Sequence, residues 1–229
     1  MYGPLVTLVR FCGAAIFDLD GVLLDTEPLY TQATQQVLSP YGKEYTWELK
    51  VQMMGRDSQS TAEFLVAALG LPITAEQYIA RRKPLLEQAC RQAAAFPGAE
   101  QLVRSLHARG IPMALATSGE APLTRAKAVR HPWFELFSSV LCGDDPRLCH
   151  PKPAPDIFLL AARELEVPPE RCVVFEDSLA GVQAARAARM QVIAVASPQM
   201  DRSRYGADVP IVSSLSGVDL TMLGLDPSQ

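Results

Sequence analysis

Five short apolar runs, each cut off by polar or acidic residues, constrain the fold of this chain more than any other feature. They are Ala14-Ala-Ile-Phe17 before Asp18, Met113-Ala-Leu-Ala116 before Thr117, Cys172-Val-Val-Phe175 before Glu176-Asp177, Val192-Ile-Ala-Val-Ala196 before Ser197, and the shorter Val140-Leu-Cys142 before Gly143-Asp-Asp145. A strand that alternates apolar and polar residues can leave one face in water. These runs are apolar at every position, so both of their faces must be covered, which predicts strands of a parallel sheet between two layers of helices.

Helical patterns fill the intervals. Ala99, Leu102, Val103 and Leu106 share one face and Gly110 ends the segment. Ile157, Leu160, Ala161 and Leu165 do the same before Pro168-Pro169, and Ser178 is placed to cap a helix running to Ala188. Alternation of strand and helix over 96–215 predicts an open α/β sheet. Residues 27–95 break the alternation, with helical stretches at 28–38, 46–54, 58–69 and 74–95 and no strong strand. Phe64, Leu65, Ala68 and Leu69 form a stripe closed by Gly70, Thr74 with Gln77 forms a capping box, and Pro84 should kink or interrupt the last helix. The expected fold is thus α/β: a Rossmann-like parallel sheet with helices on both faces (11–26 and 96–229) and an inserted all-helical domain (27–95). There is no internal repeat and no low-complexity segment.

Composition narrows the function. With 229 residues and 48% apolar residues the chain can bury a core without a staple. Lys+Arg 21 against Asp+Glu 25 leaves no basic excess for phosphate-backbone binding, so a nucleic-acid polymer is not expected as partner. No stretch approaches the ~20 apolar residues of a membrane span, and the first residues lack an export signal. Five cysteines with no Cys-x-x-Cys spacing predict reduced thiols in a cytoplasmic protein, and three scattered histidines (His107, His131 and His150) supply no zinc motif. Trp47 and Trp133 are expected as packing anchors.

In an open parallel sheet, the loops after the carboxyl ends of the strands build the site. Asp18 and Asp20 stand two apart just past a buried strand, where they repel unless a cation or proton intervenes. Asp and Gly also populate ordinary turns. Thr117-Ser118-Gly119 offers hydroxyls and N–H groups suited to phosphate oxygens, although such residues are common in turns too. Lys152, between Pro151 and Pro153, is either a directed point charge or a solvated surface lysine. Glu176-Asp177 adds a second acidic pair, and carboxylates from two strands suit Mg²⁺.

Four segments in this order, FDLDGV at 17–22, ATS at 116–118, Lys152-Pro153 and FED at 175–177, resemble the motifs of the haloacid dehalogenase superfamily of phosphotransferases. The resemblance extends to 27–95, which looks like that family's helical cap. It implies Asp18 as nucleophile forming an aspartyl phosphate, and Asp20 as the acid and then the base. It further implies Mg²⁺ held by the Asp18 carboxylate, the Asp20 carbonyl and Glu176/Asp177, with phosphoryl oxygens held by Thr117 and the Ser118 N–H. Lys152 would offset the negative charge. A carboxylic acid at Asp20 serves phosphomonoester cleavage or mutase chemistry, not dehalogenation.

Segments 130–137, 143–146 and 152–158 resemble a eukaryotic branch containing pseudouridine-5′-phosphatase and glycerol-3-phosphate phosphatases. The implied partner is a small phosphorylated metabolite, acted on by a monomer or weak dimer away from any membrane. Tyr30 and Arg56 fall in the cap segments of the resemblance, where Arg56 is either a substrate contact or a solvated arginine. A β-phosphoglucomutase-type activity is the alternative, although that enzyme has a cap histidine where Tyr30 stands here. A non-catalytic binding protein is the remote one. Pro151 and Gly119 depart from the Gly and Ser usual at their positions, which bears on how Lys152 sits and on phosphate contacts.

Overall fold

The computed structural model describes residues 12–53, 58–196 and 201–226. In chain order these form β1 (Ala14–Phe17), β2 (Leu24–Asp25), α1 (Glu27–Leu38), α2 (Trp47–Met53), α3 (Ser58–Leu69), α4 (Ala75–Cys90), β3 (Ala94–Ala95) and α5 (Ala99–Ala108). There follow β4 (Met113–Ala116), α6 (Ala121–Ala128), β5 (Ser139–Leu141), α7 (Asp156–Glu164), β6 (Cys172–Glu176), α8 (Leu179–Ala187), β7 (Gln191–Val195) and β8 (Ile211–Val212). The chain divides into two compact units: Thr26–Ala93, and the chain before and after it.

The larger unit is built on a six-stranded sheet in the order β5-β4-β1-β6-β7-β8, with every pairing parallel. All five apolar runs become strands of it, with ends within a residue of those expected. The central strands are buried on both sides. Ile16, Ala114, Ala116 and Val174 join a core with Ile157, Phe158 and Ala161 of α7 and Val182, Ala184 and Ala185 of α8. Residues of the opposite parity, Ala15, Phe17, Leu115, Val173 and Phe175, are equally buried. The Phe17 and Phe175 rings stack at 4.6 Å, a contact worth about 0.5–1.5 kcal/mol beyond the area it buries. On α5 the expected stripe of Ala99, Leu102, Val103 and Leu106 is buried, and Gly110 takes a φ of 67° after it.

The smaller unit is all helical. Its core joins Val37, Leu38, Met53, Ala62, Leu65, Leu71, Ala75 and Tyr78. The capping box forms as expected: Gln77 N–H donates to Thr74 Oγ1 at 3.3 Å and Thr74 N–H to Gln77 Oε1 at 3.1 Å. Several local expectations are corrected. Pro84 does not interrupt α4, which runs from Ala75 to Cys90 and is packed against α1 and α3 across the turn that lacks one N–H. On α3 the buried seam is Ala62 and Leu65, with Phe64 and Leu69 partly buried and Ala68 exposed. Trp47 is 56% exposed, not an anchor, and lies beside the Lys50 ammonium at 5.5 Å; Trp133 is buried. The helix expected to reach 95 ends at Cys90. Ala94 and Ala95, good helix formers by propensity, instead pair antiparallel with Asp25 and Leu24. This two-stranded ladder belongs to the larger unit and carries the chain out to the helices and back.

Candidate active site

The strand order reverses at β1, with β4 on one side and β6 on the other, which makes its carboxyl end the crevice of the sheet. Register aligns Phe17 with both Leu115 and Phe175, so Asp18, Thr117 and Glu176 emerge at nearly one level. The Asp18 N–H, donating to the Phe175 carbonyl at 3.0 Å, extends the ladder one residue and anchors the loop.

Asp18 is buried and meets Lys152 at once: Nζ donates to Asp18 Oδ1 at 2.6 Å, to Glu176 Oε1 at 2.6 Å and to the Ala116 carbonyl at 3.0 Å. All three donors of the ammonium are thereby used, and the lysine side chain is only 5% exposed. Of the two readings open for Lys152, the structure selects the directed charge. It does so with Pro151 before it and a cis peptide bond to Pro153 after it.

Burial pushes the Asp18 carboxyl up to about 7; the Lys152 ammonium opposes this, while Glu176 and Asp20 add to it. Asp177 is pushed up to about 8, again by burial first and then by the Asp18 and Glu176 charges. For Lys152, burial works to lower the pKa, but Asp18 and Glu176 outweigh it and hold the ammonium above its ordinary value.

Thr117 is buried, and its Oγ1 accepts from Gly119 N–H at 3.0 Å. The hydroxyl proton therefore stays available for an acceptor in the crevice. Ser118 is exposed next to it. Gly143 allows the loops after β4 and β5 to close on each other: its N–H donates to the Gly119 carbonyl at 2.9 Å, and a Cβ there would lie 2.3 Å from the Ser118 carbonyl oxygen.

The four carboxylates split by environment. Glu176 is saturated: Oε1 takes Lys152, and Oε2 takes the N–H and hydroxyl of Ser178 at 2.8 and 3.0 Å. Asp177 packs over Gly21, whose φ of 89° and missing Cβ (which would lie 2.1 Å from Asp177 Oδ2) let the two loops touch. Tyr205 donates its hydroxyl hydrogen to the Asp177 carbonyl. Asp20 is gripped through both oxygens by Lys127 at 2.6 and 2.7 Å.

Among the described residues no group of three His, Cys, Asp or Glu side chains is arranged to hold a metal ion. The candidate donors are two carboxylates, Asp18 and Asp177, close enough for each charge to act on the other. That suits Mg²⁺, which is commonly held by one or two carboxylates plus phosphate and water. The fit is also electrostatic: burial raises both carboxyls and the neighbouring carboxylate charges add to this, and a cation would favour their charged forms against both.

Tyr30 lies on α1 of the helical unit, partly buried with the Arg82 guanidinium 5.4 Å over its ring. Arg56 lies outside the described residues. Lys127, Gly181, Tyr205 and Ser178 in its contact with Glu176 were not legible as site residues; only Ser178 carried a signal, as a helix cap.

Fold and site together define a hydrolase of the α/β class with a buried aspartate and lysine at the switch point of the sheet. The chain belongs to the haloacid dehalogenase-like hydrolases, whose family model matches residues 12–189. It is 42% identical over 214 residues to a probable pseudouridine-5′-phosphatase of Drosophila melanogaster, covering 92% of this chain and 93% of that protein. It is 40% identical over 206 residues to the mitochondrial (DL)-glycerol-3-phosphatase 1 of Arabidopsis thaliana, covering 87% and 69%. Among solved structures, a putative β-phosphoglucomutase from Thermotoga maritima superposes with a TM-score of 0.78 at 32% identity, covering 92% and 96%.

Proposed function

We propose that this chain is a Mg²⁺-dependent phosphatase that hydrolyses a small sugar, nucleotide or polyol phosphate through an aspartyl phosphate on Asp18. The observation that carries the reading is the buried Asp18–Lys152–Glu176 arrangement at the end of β1. A free carboxylate repels a phosphate dianion. Lys152 supplies one positive charge against Asp18, and Mg²⁺, held by Asp18, Asp177 and the Asp20 carbonyl, would supply the remaining charge neutralisation. Thr117 Oγ1 donates to one phosphoryl oxygen, and the exposed Ser118 N–H serves a second. Asp18 Oδ2 attacks phosphorus while the ester oxygen leaves with a proton from Asp20. Water then attacks the same phosphorus, gives its proton to Asp20, and frees Asp18 and inorganic phosphate.

The helical unit 26–93 acts in this reading as the cap that excludes water and selects the substrate, with Tyr30 and Arg56 as its candidate contacts. The pseudouridine-5′-phosphate and glycerol-3-phosphate esters are the first candidates, because relatives matching most of this chain bear those names. A cytoplasmic setting is supported by the thiols, since the five cysteines form no disulfide among themselves. The mutase alternative has structural kinship in its favour, and Tyr30 weighs against it, since a phenol is a poor substitute for an imidazole as a proton carrier near neutral pH.

A panel of pseudouridine 5′-phosphate, glycerol 3-phosphate, 2-deoxyglucose 6-phosphate, β-glucose 1-phosphate and 4-nitrophenyl phosphate tests the reading. Phosphate release that needs Mg²⁺ and vanishes in Asp18→Asn is expected. No turnover of any ester would overturn it, and conversion of β-glucose 1-phosphate to glucose 6-phosphate would select the mutase.

A further inference from the structure

Helix α6 places two polar side chains on its inner side, Thr124 and Lys127, three residues apart and hence on one face. Lys127 is fully buried, at 0% exposure, an environment lysine tolerates only with a partner. Its Nζ stands almost symmetrically between the two oxygens of Asp20. Asp20 keeps 29% of its side chain open, so the lysine holds it from the protein side and leaves the other side toward the crevice. Gly119 lies beside this carboxyl, and a Cβ there would fall 3.7 Å from Asp20 Oδ2, an ordinary contact distance. The first turn of α6 is itself tied down, as Ala121 N–H donates to Asp144 Oδ1 at 2.9 Å.

We propose that Lys127 is the positioning residue for Asp20: it clamps the carboxyl group from beneath so that its exposed edge faces first the leaving oxygen and then the attacking water. The inference rests on the phosphatase reading above and adds a residue to it. Lys127 neither gains nor loses a proton in either step. The proton passes from Asp20 to the leaving oxygen as the P–O bond breaks and the Asp18–P bond forms. It is replaced from water as that second bond breaks. A carboxylate free to rotate about two torsions would spend much of its time misdirected, and misdirection of an acid hurts only the reactions that need one.

That last point separates positioning from a structural role. 4-Nitrophenolate leaves without a proton, whereas an alkoxide needs one. In Lys127→Met, kcat/KM for the best alkyl phosphate of the panel is expected to fall about 10- to 100-fold, the usual effect of losing an outer-shell partner. For 4-nitrophenyl phosphate the same quantity should change less than about threefold, because it reports only the steps through ester cleavage. The ratio of the two values does not depend on how much of the variant is folded. In an Asp20→Asn background, adding K127M should alter single-turnover nitrophenol release less than about twofold, since the group being positioned is gone.

Equal losses on both esters, or a K127M effect on nitrophenol release in D20N as large as the parent's loss on the alkyl ester, would overturn the proposal while leaving the phosphatase reading intact. A parent protein inactive on every ester would overturn both.

Discussion

Gly181→Ala should destabilise this protein, although the substitution lies inside a helix where alanine is the better residue. Gly181 occupies the first turn of α8, and a Cβ there would fall 1.7 Å from Glu176 Oε1 and 1.9 Å from Cδ. Glu176 is 1% exposed and cannot swing out, for it holds Lys152 with one oxygen and Ser178 with the other. Forcing a methyl group into such a site costs about 1–3 kcal/mol. Displacing the carboxylate far enough to lose one hydrogen bond to a charged group adds about 1.5–3 kcal/mol. The gain in helix propensity returns only about 1 kcal/mol. The net expectation is a loss of about 1.5–5 kcal/mol, with a loss of turnover because Lys152 follows Glu176.

Urea unfolding, followed by the fluorescence of buried Trp133, measures this directly. Gly217→Ala, where the new Cβ meets nothing within 4 Å, is the control. The cause is isolated by repeating G181A in a Glu176→Ala background, where the obstacle is removed and the substitution should be neutral or stabilising. A G181A protein as stable as its parent, or one equally weakened with and without Glu176, would refute the reasoning.

The raised carboxyls give a pH test. Groups whose folded pKa is raised contribute stability below their unfolded value of 3.8 and lose it as pH climbs through about 7 for Asp18 and about 8 for Asp177. The metal-free protein should therefore weaken progressively from roughly pH 4 to pH 8 and level off above that, and Mg²⁺ should raise Tm more at the alkaline end of that window, where it replaces no protons. A Mg²⁺-induced Tm shift that is the same at both ends would contradict this. Thiol chemistry gives another test: Cys149 is exposed, while Cys12, Cys90, Cys142 and Cys172 are buried, with burial pushing Cys12 up to about 12 and Cys172 up to about 11. An aromatic disulfide reagent should modify one thiol of the native protein quickly and the other four only on unfolding.

What sequence made legible follows from how each signal arises. The strands could be found because a buried strand must be apolar at consecutive positions, and that pattern is local. Asp18 and Thr117 directly follow such a run and Asp177 stands one residue beyond it, so chain position alone places all three at the carboxyl edge. Lys127 has no such signal: it sits in Thr124-Arg-Ala-Lys-Ala128, a stretch that reads as a solvated helix face, and only its packing against Asp20, 107 residues away in sequence, explains its burial. The same holds for Ala94 and Ala95, where propensity favours helix and a tertiary pairing with Leu24 and Asp25 decides otherwise. Glu176 was legible as an acid at the right place, but its saturation by Lys152 and Ser178 depends on contacts that no local pattern carries.

The two lysines also set what the proposed phosphatase reaction still requires of this crevice. Four carboxylates, Asp18, Asp20, Glu176 and Asp177, gather around the end of β1 and its neighbours, and each lysine is committed to its own part of them. Lys152 belongs to Asp18 and Glu176, and Lys127 to Asp20. With all six groups ionised the cluster keeps a net negative charge of two, so an incoming phosphate dianion meets repulsion that neither lysine can cancel without abandoning its carboxylate. One divalent cation between Asp18 and Asp177 brings the cluster to neutrality. Protonating both raised carboxyls would do the same electrostatically, but a protonated Asp18 is no nucleophile. This charge balance is what supports a divalent cation in the proposed mechanism. Lys152→Met, which leaves Glu176 and Asp18 facing each other uncompensated, should therefore abolish turnover even at saturating Mg²⁺, while Lys127→Met should leave the Mg²⁺ requirement unchanged and slow only the proton-dependent ester. If the lysine variants were interchangeable in these assays, the division of charge between the two sides of the crevice would be wrong.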